Sequence, residues 1–155
     1  MKHLLLITII GLVQVVYTHA QLCNEMEIIL GDQAAVDQYN TNYPDCHEQI
    51  SRLIIEGDDI TNLQGLSAIT SCDYLSIRNT PNLKSLEGLN GLQFVVNLRR
   101  ENTDITNLMG LESLDAVLFL MNMYGNDRLK DLTGLGGLKD VFGLFITECD
   151  SFQSF

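Results

Sequence analysis

From Asp59 to its last residue the chain repeats one short phrase with a period of roughly 22–24 residues, within the range of solenoid repeats. Four copies overlay: DITNLQGLSAITSCDYLSI from Asp59, NLKSLEGLNGLQFVVNLRR from Asn82, DITNLMGLESLDAVLFLMN from Asp104 and RLKDLTGLGGLKDVFGLFI from Arg128. Their common skeleton is (Ile/Leu)-x-x-Leu-x-Gly-Leu-x-x-(Ile/Leu). A unit this short has too little apolar surface to fold alone and buries its face only by stacking on its neighbours, which makes the chain a solenoid. Whatever it binds must then meet a surface of stacked coils.

Subtraction aligns the columns. Ile60, Leu83, Ile105 and Leu129 open the copies, and the longest interval is the last, from Ile105 to Leu129. Gly65, Gly88, Gly110 and Gly134 each precede a leucine, namely Leu66, Leu89, Leu111 and Leu135. At one fixed offset after each opener stand Leu75, Leu98, Leu120 and Leu144, inside short runs of Val, Ile, Leu and Phe that read as strands. One repeat back from Leu75 stands Leu53, so SRLIIEG is the strand of an earlier coil. The expected fold is a mostly β repeat solenoid of the α/β type, with one parallel sheet of about five strands, one per coil. Asp32 is expected to cap a short helix through AAVDQY, so that residues 21–52 form an N-terminal cap and residues 53–155 the repeats.

Alternation assigns the faces of the sheet. The leucine column points inward, and the next inward column reads Ile55, Ile77, Arg100, Asn122 and Ile146. An unpaired charge in a core is strongly unfavourable, so a bulge or one-residue slip that turns Arg100 outward is expected, the alternative being a satisfied polar ladder across two coils. The outward columns read Ile54, Ser76, Arg99, Met121, Phe145 and Glu56, Arg78, Glu101, Met123, Thr147. With Tyr74 and Phe119 on the same side, the candidate binding face comprises Tyr74, Arg78, Arg99, Glu101, Phe119, Met121, Met123 and Phe145. Glu56, Arg78 and Glu101 alternate in sign, which reads first as a solvated cross-strand ladder worth roughly 0.2–1 kcal/mol per contact. Phe119, Met121, Met123 and Phe145 form the expected apolar patch, of the kind that marks a partner site. The Asn and Asp residues after each strand, such as Asn79, Asn102 and Asp104, are expected in turns, where they tolerate left-handed backbone.

The ends say where the chain goes. Lys2, the apolar stretch Leu4 to Val16 and the small-residue boundary Thr18-His19-Ala20 have the layout of a secretory signal peptide over residues 1–20. The apolar core is shorter than the ~18 residues of a membrane span. Its removal leaves a chain of one-domain length. Lys2 goes with it and no acid does, so eight basic residues face twenty acidic ones and the charge is about −12. Such a surface repels nucleic acid and anionic headgroups. The expected location is secreted or at the cell surface, where Cys23 and Cys46, bracketing the cap, are expected to pair. Cys72 and Cys149 lie three coils apart, roughly 14 Å at ~4.8 Å per coil, too far for a disulfide. Cys72 is expected to be a small buried side chain. Phe152 and Phe155 fall one repeat after Leu129 and Leu132, so SFQSF opens a further copy and stops before its Gly-Leu. That pattern suggests a fragment of a longer surface protein or, as the alternative function, a structural or truncated non-functional copy of one, whose last coil offers an edge for self-association.

The coils DITNLQGLSAITSCDYLSIRNTPNLKSLEGL, with the preceding QAAVDQYNTNYPDC, resemble the receptor L-domain family, the leucine-rich-repeat-like solenoid of insulin- and growth-factor-receptor ectodomains and of many secreted bacterial proteins. The resemblance runs over about residues 21 to 155 and rests on the fourfold Leu-x-Gly-Leu spacing. It implies a right-handed coil used outside the cell for recognition or adhesion of a protein or glycan, without catalysis. It transfers no binding residue.

Enzyme readings find little support in the composition. Beyond residue 20 there is one histidine, His47, with no identifiable catalytic partner. There is no phosphate-cradling loop, dinucleotide fingerprint or Cys-x-x-Cys zinc pattern, and no cofactor is expected. The remaining enzymatic alternative is a parallel β-helix acting on acidic polysaccharide through Glu56, Arg78, Arg99 and Glu101, against which the net charge would work.

Overall fold

The computed structural model describes residues 23, 24 and 26–153; the expected signal peptide over 1–20 and Phe155 lie outside the described residues. Six strands form one parallel sheet in sequence order: β1 Glu27–Leu30, β2 Ile50–Glu56, β3 Ser71–Thr80, β4 Phe94–Thr103, β5 Ala116–Tyr124 and β6 Asp140–Thr147. The chain is thus a β-solenoid in which each coil pairs with the coils before and after it. Beyond β2 the coils run between strands through turns, with one short 3-10 segment at Gln64–Leu66.

Every coil contributes one side chain to each interior column. Ile28, Leu53, Leu75, Leu98, Met121 and Leu144 stand in register across the sheet. All but Leu144 are buried, and the turn leucines Leu63, Leu86 and Leu108 close the core from the other side. Each such side chain contributes roughly 1.5–3 kcal/mol through burial, which no single coil could realise alone.

The repeated Gly-Leu pair has a steric cause. Gly88 has φ +110°, and a Cβ there would lie 2.1 Å from the carbonyl oxygen of Leu63 in the preceding coil. Gly110, at φ +107°, sits equally close to Leu86. Only glycine allows the coils to approach this far in that backbone conformation. A second column lies at the C-terminal ends of β3 to β6: Asn79, Asn102, Gly125 and Glu148 have φ of 51°, 51°, 60° and 50°. The Asn residues at these turns act as expected, and Asn102 donates its amide to the side chain of Asn79 at 3.2 Å.

At the N-terminal end, Asp32 caps helix α1 (Gln33–Asp37) by accepting from the backbone N–H of Ala35 at 2.7 Å. A second short helix, α2 (Tyr39–Asn42), follows. Gln33 Oε1 accepts from the N–H of Thr61 at 2.8 Å, and Asn40 donates to the carbonyl of Gly65 at 3.0 Å, so both helices dock on the first coil. Cys23 and Cys46 form a disulfide with Cα atoms 5.6 Å apart. Cys46 also accepts, through its carbonyl, a 2.6 Å hydrogen bond from the hydroxyl of buried Tyr39. Cys72 is buried and unbonded to sulfur, as is the partly buried Cys149. No helix among the described residues is long and apolar enough to cross a membrane.

Three expectations are corrected. The sheet has six strands, not five, because β1 in the cap pairs with β2, Ile28 opposite Leu53, at a longer step than the repeat takes. Arg100 is not turned outward: it is 1 % exposed and lies between Ile77 and Met123 in the interior column. The slip falls instead in β5. Val95 faces Val117 and Asn97 faces Leu120, so β5 carries one more residue than β4 over this stretch, and β6 shows the same shift against it. The extra residue belongs to the longest interval, between Ile105 and Leu129. Beyond it every β5 side chain changes face, so Met121 and Met123, expected outside, are 0 % and 1 % exposed, and Asn122 leaves the inward column for the outer one.

Arg100 is tolerated inside because the turn after β4 supplies acceptors. Its Nε donates to Thr103 Oγ1 at 2.8 Å and its Nη2 to the carbonyl of Ile105 at 3.1 Å, while Nη1 is buried without a partner among the described residues. Burial pushes the guanidinium down to about 9, which still leaves it charged at neutral pH. Asn126 extends the polar interior by accepting from the N–H and hydroxyl of Thr103 and donating to the carbonyls of Arg100 and Tyr124.

Candidate binding face

The side of the sheet opposite the core holds three columns. Arg52, Tyr74, Asn97, Leu120 and Gly143 form the first, Ile54, Ser76, Arg99, Asn122 and Phe145 the second, Glu56, Arg78, Glu101, Tyr124 and Thr147 the third. Parallel pairing sets neighbours in each column at ~4.8 Å, so groups far apart in sequence become a fixed row.

The first four strands give the face a charged half. The guanidinium of Arg52 lies 4.3 Å from the centroid of the Tyr74 ring and 3.5 Å from Glu27. Arg78 Nε donates to Glu56 at 2.6 Å. Arg99 Nη2 is 2.8 Å from Glu101. The Tyr74 side chain first, and Glu101 second, hold the Arg99 guanidinium above its usual value. The alternating ladder is therefore only half formed: Arg78 takes Glu56 of the strand before it, and Glu101 takes Arg99 of its own strand. These pairs are largely solvated and act more through orientation than through energy. Asn122, between Arg99 and Phe145, has its Oδ1 buried without a partner among the described residues.

Toward β5 and β6 the face becomes apolar. The residue inserted in β5 leaves Leu118 and Phe119 both outside, 59 % and 55 % exposed, beside Phe142 at 81 % and Phe145 at 55 %. Phe119 and Phe142 stack with centroids 5.9 Å apart and planes within 9°. Gly143 joins that stack to the rest of the patch: a methyl group there would lie 3.3 Å from Leu120 Cδ1 and 3.4 Å from Phe145 Cε2. Tyr124, exposed at the far end of β5, is hydrogen-bonded to Glu148, which pushes its phenol up.

Of the residues singled out by alternation, Tyr74, Arg78, Arg99, Glu101, Phe119 and Phe145 share this face, whereas Met121 and Met123 belong to the core. Leu118, Tyr124 and Phe142 were missed. Phe142 stands one repeat after Phe119, and that spacing alone pairs the two rings.

Away from this face, a cavity of about 260 Å³ opens at the turns beside Asn102, Asp104, Asp127 and Arg128. Lys84 first, and Arg128 at 3.0 Å, engage the Asp104 carboxylate and hold it below the usual range. No group of three or more His, Cys, Asp or Glu among the described residues is placed to share a metal ion. No protein-family description, no curated protein and no solved structure matches this chain.

Proposed function

We propose that the protein is a secreted or cell-surface recognition or adhesion module, without catalysis, that binds a protein or glycan ligand through the outer face of its sheet. The observation that carries this reading is the linked set Arg52, Tyr74, Arg99 and Glu101, which ring and ion-pair contacts hold in place on three rigid strands. Side chains ordered in advance lose less conformational entropy when a ligand arrives, so more of the contact energy shows as affinity. The Cys23–Cys46 disulfide is compatible with an oxidising compartment. We read the coil as right-handed and leucine-rich-repeat-like, of the receptor L-domain kind, on the fourfold Leu-x-Gly-Leu spacing of the sequence.

The test is a paired screen on protein and glycan arrays with the unmodified chain and with an Arg99→Ala/Glu101→Ala variant. Both residues are on the surface, so the variant folds. The expected result is one class of ligand bound by the unmodified chain and lost by the variant. Ligands bound equally by both, or no ligand on either array, would overturn the reading.

A further inference from the structure

The apolar half of the outer face is built by an irregularity that the core does not need. One additional residue in β5 turns Leu118 and Phe119 outward together, and Phe119 stacks on Phe142 of the next coil. Leu120 and Phe145 close over Gly143 beside that stack. Four of these side chains, Leu118, Phe119, Phe142 and Phe145, are more than half exposed, an arrangement that soluble surfaces rarely leave without an occupant.

The surroundings select the occupant. The patch itself offers no side-chain hydrogen-bonding group, which suits apolar anchors of a polypeptide better than the hydroxyls of a sugar. Acidic residues flank it at both ends of the strands. At the start, Asp140 is exposed beside Lys139, which forms its ion pair with Asp115 and feels Asp140 only through the weaker electrostatic attraction. At the end, Glu148 is exposed beside Tyr124. The whole chain carries a formal charge of −11, so two copies repel one another, as do anionic lipid and nucleic acid, and a cationic partner is attracted. We infer that this patch docks a basic, apolar-anchored polypeptide segment of a partner protein, with large apolar side chains on Phe119, Phe142 and Phe145 and Lys or Arg groups reaching Asp140 and Glu148. The inference rests on the recognition reading above and names the partner chemistry for the half of the face that Arg99 and Glu101 do not occupy.

The experiment is selection from a library of short random peptides on the immobilised full chain, followed by affinity measurement with the enriched peptide in synthetic form. Peptides combining Lys or Arg with Phe, Trp or Leu are expected, with binding that weakens as salt rises. Phe119→Ser/Phe142→Ser is expected to lower affinity roughly tenfold or more. Asp140→Lys, which leaves the rings in place, is expected to lower it severalfold and to flatten the salt dependence. Both variants alter exposed side chains and keep the core. Enrichment of acidic or wholly polar peptides, no enrichment, or unchanged affinity in the ring variant would overturn the inference. Sedimentation showing a dimer of the unmodified chain that the ring variant converts to monomer would do the same, by assigning the patch to a second copy. If array ligands still depend on Arg99 and Glu101 while the peptide arm fails, only this inference falls; if no change on the face alters any binding, the recognition reading falls with it.

Discussion

Cys149 holds in the last coil the place that Asn126 holds one coil earlier. Asn126 Nδ2 donates to the carbonyls of Arg100 and Tyr124 at 3.0 Å each, and the Cys149 sulfur faces the carbonyls of Met123 and Thr147 at 3.6 and 3.4 Å. A thiol is a weak donor with one hydrogen, whereas the amide has two strong ones.

Cys149→Asn is therefore expected to raise stability by about 0.5–1.5 kcal/mol per hydrogen bond strengthened. Asn126→Val should lower it by about 1–3 kcal/mol or more, because the N–H of Thr103 and two carbonyls lose their partner. Urea unfolding of the three proteins measures both. A less stable Cys149→Asn would show that the last coil does not reproduce the geometry of its neighbour.

Arg100→Met should leave stability unchanged or raise it by about 1–4 kcal/mol. The residue it replaces is a buried cation with Nη1 unpartnered, and methionine follows a similar path among Ile77 and Met123. Arg100→Ala should be less stable than Arg100→Met through the cavity it leaves. Thermal unfolding decides; a Met variant well below the unmodified chain would show that the bonds to Thr103 and Ile105 outweigh desolvation.

Above about pH 9 two buried groups should move stability in opposite directions. Burial pushes the Cys72 thiol up to about 12 from a usual value of 9.0, so above pH 9 the unfolded chain releases a proton that the folded chain keeps. That difference removes up to ~1.4 kcal/mol per pH unit. Tyr39, also raised by burial, adds to the loss at higher pH. Arg100 works the other way: its folded value is depressed to about 9, so the unfolded chain holds the extra proton and stability rises with pH. In Cys72→Ala the opposing contribution is gone, so between about pH 9 and pH 10 stability should change with pH with a more positive slope than in the unmodified chain. Identical slopes for the two proteins in chemical unfolding would remove Cys72 from the account.

The glycines separate two kinds of backbone demand. Gly88→Ala places a Cβ 2.1 Å from the Leu63 carbonyl at φ +110°, and a loss above ~3 kcal/mol, or failure to fold, is expected. Gly136 has nothing within 4 Å of such a Cβ and no positive φ, so Gly136→Ala should be neutral or stabilising by about 0.4–1 kcal/mol. Parallel circular dichroism melts read the contrast directly.

How much was legible in the residues follows from what a repeat can and cannot encode. Column subtraction reached the parallel sheet, the interior leucines from Leu53 to Leu98 and the capped helix at Asp32, because those features recur or rest on local hydrogen bonding. It missed β1, which pairs with β2 outside the repeat interval. It recognised that a slip was needed near Arg100 but put it in the wrong strand. The choice depended on Thr103 and the Ile105 carbonyl, groups that solvate the guanidinium only once the turn has closed. The intervals did contain the answer in coarse form, since the longest, from Ile105 to Leu129, belongs to the coil with the bulge. What they lacked was the position of the extra residue within that coil, and with it the fates of Met121, Asn122 and Phe142.

The insertion in β5 has one more consequence. Val117 before it and Met121 after it both pair with inward residues of β4 and β6, so the interior columns stay continuous across a strand that carries one residue more than its neighbours. Point substitution changes one exposed group at a time. A length change absorbed inside a strand presents two neighbouring side chains at once and shifts every later one to the opposite side, until the next turn restores the frame. Solenoids of this design therefore have a route to new surfaces through small insertions, a class of change that most closely packed folds do not tolerate within a strand.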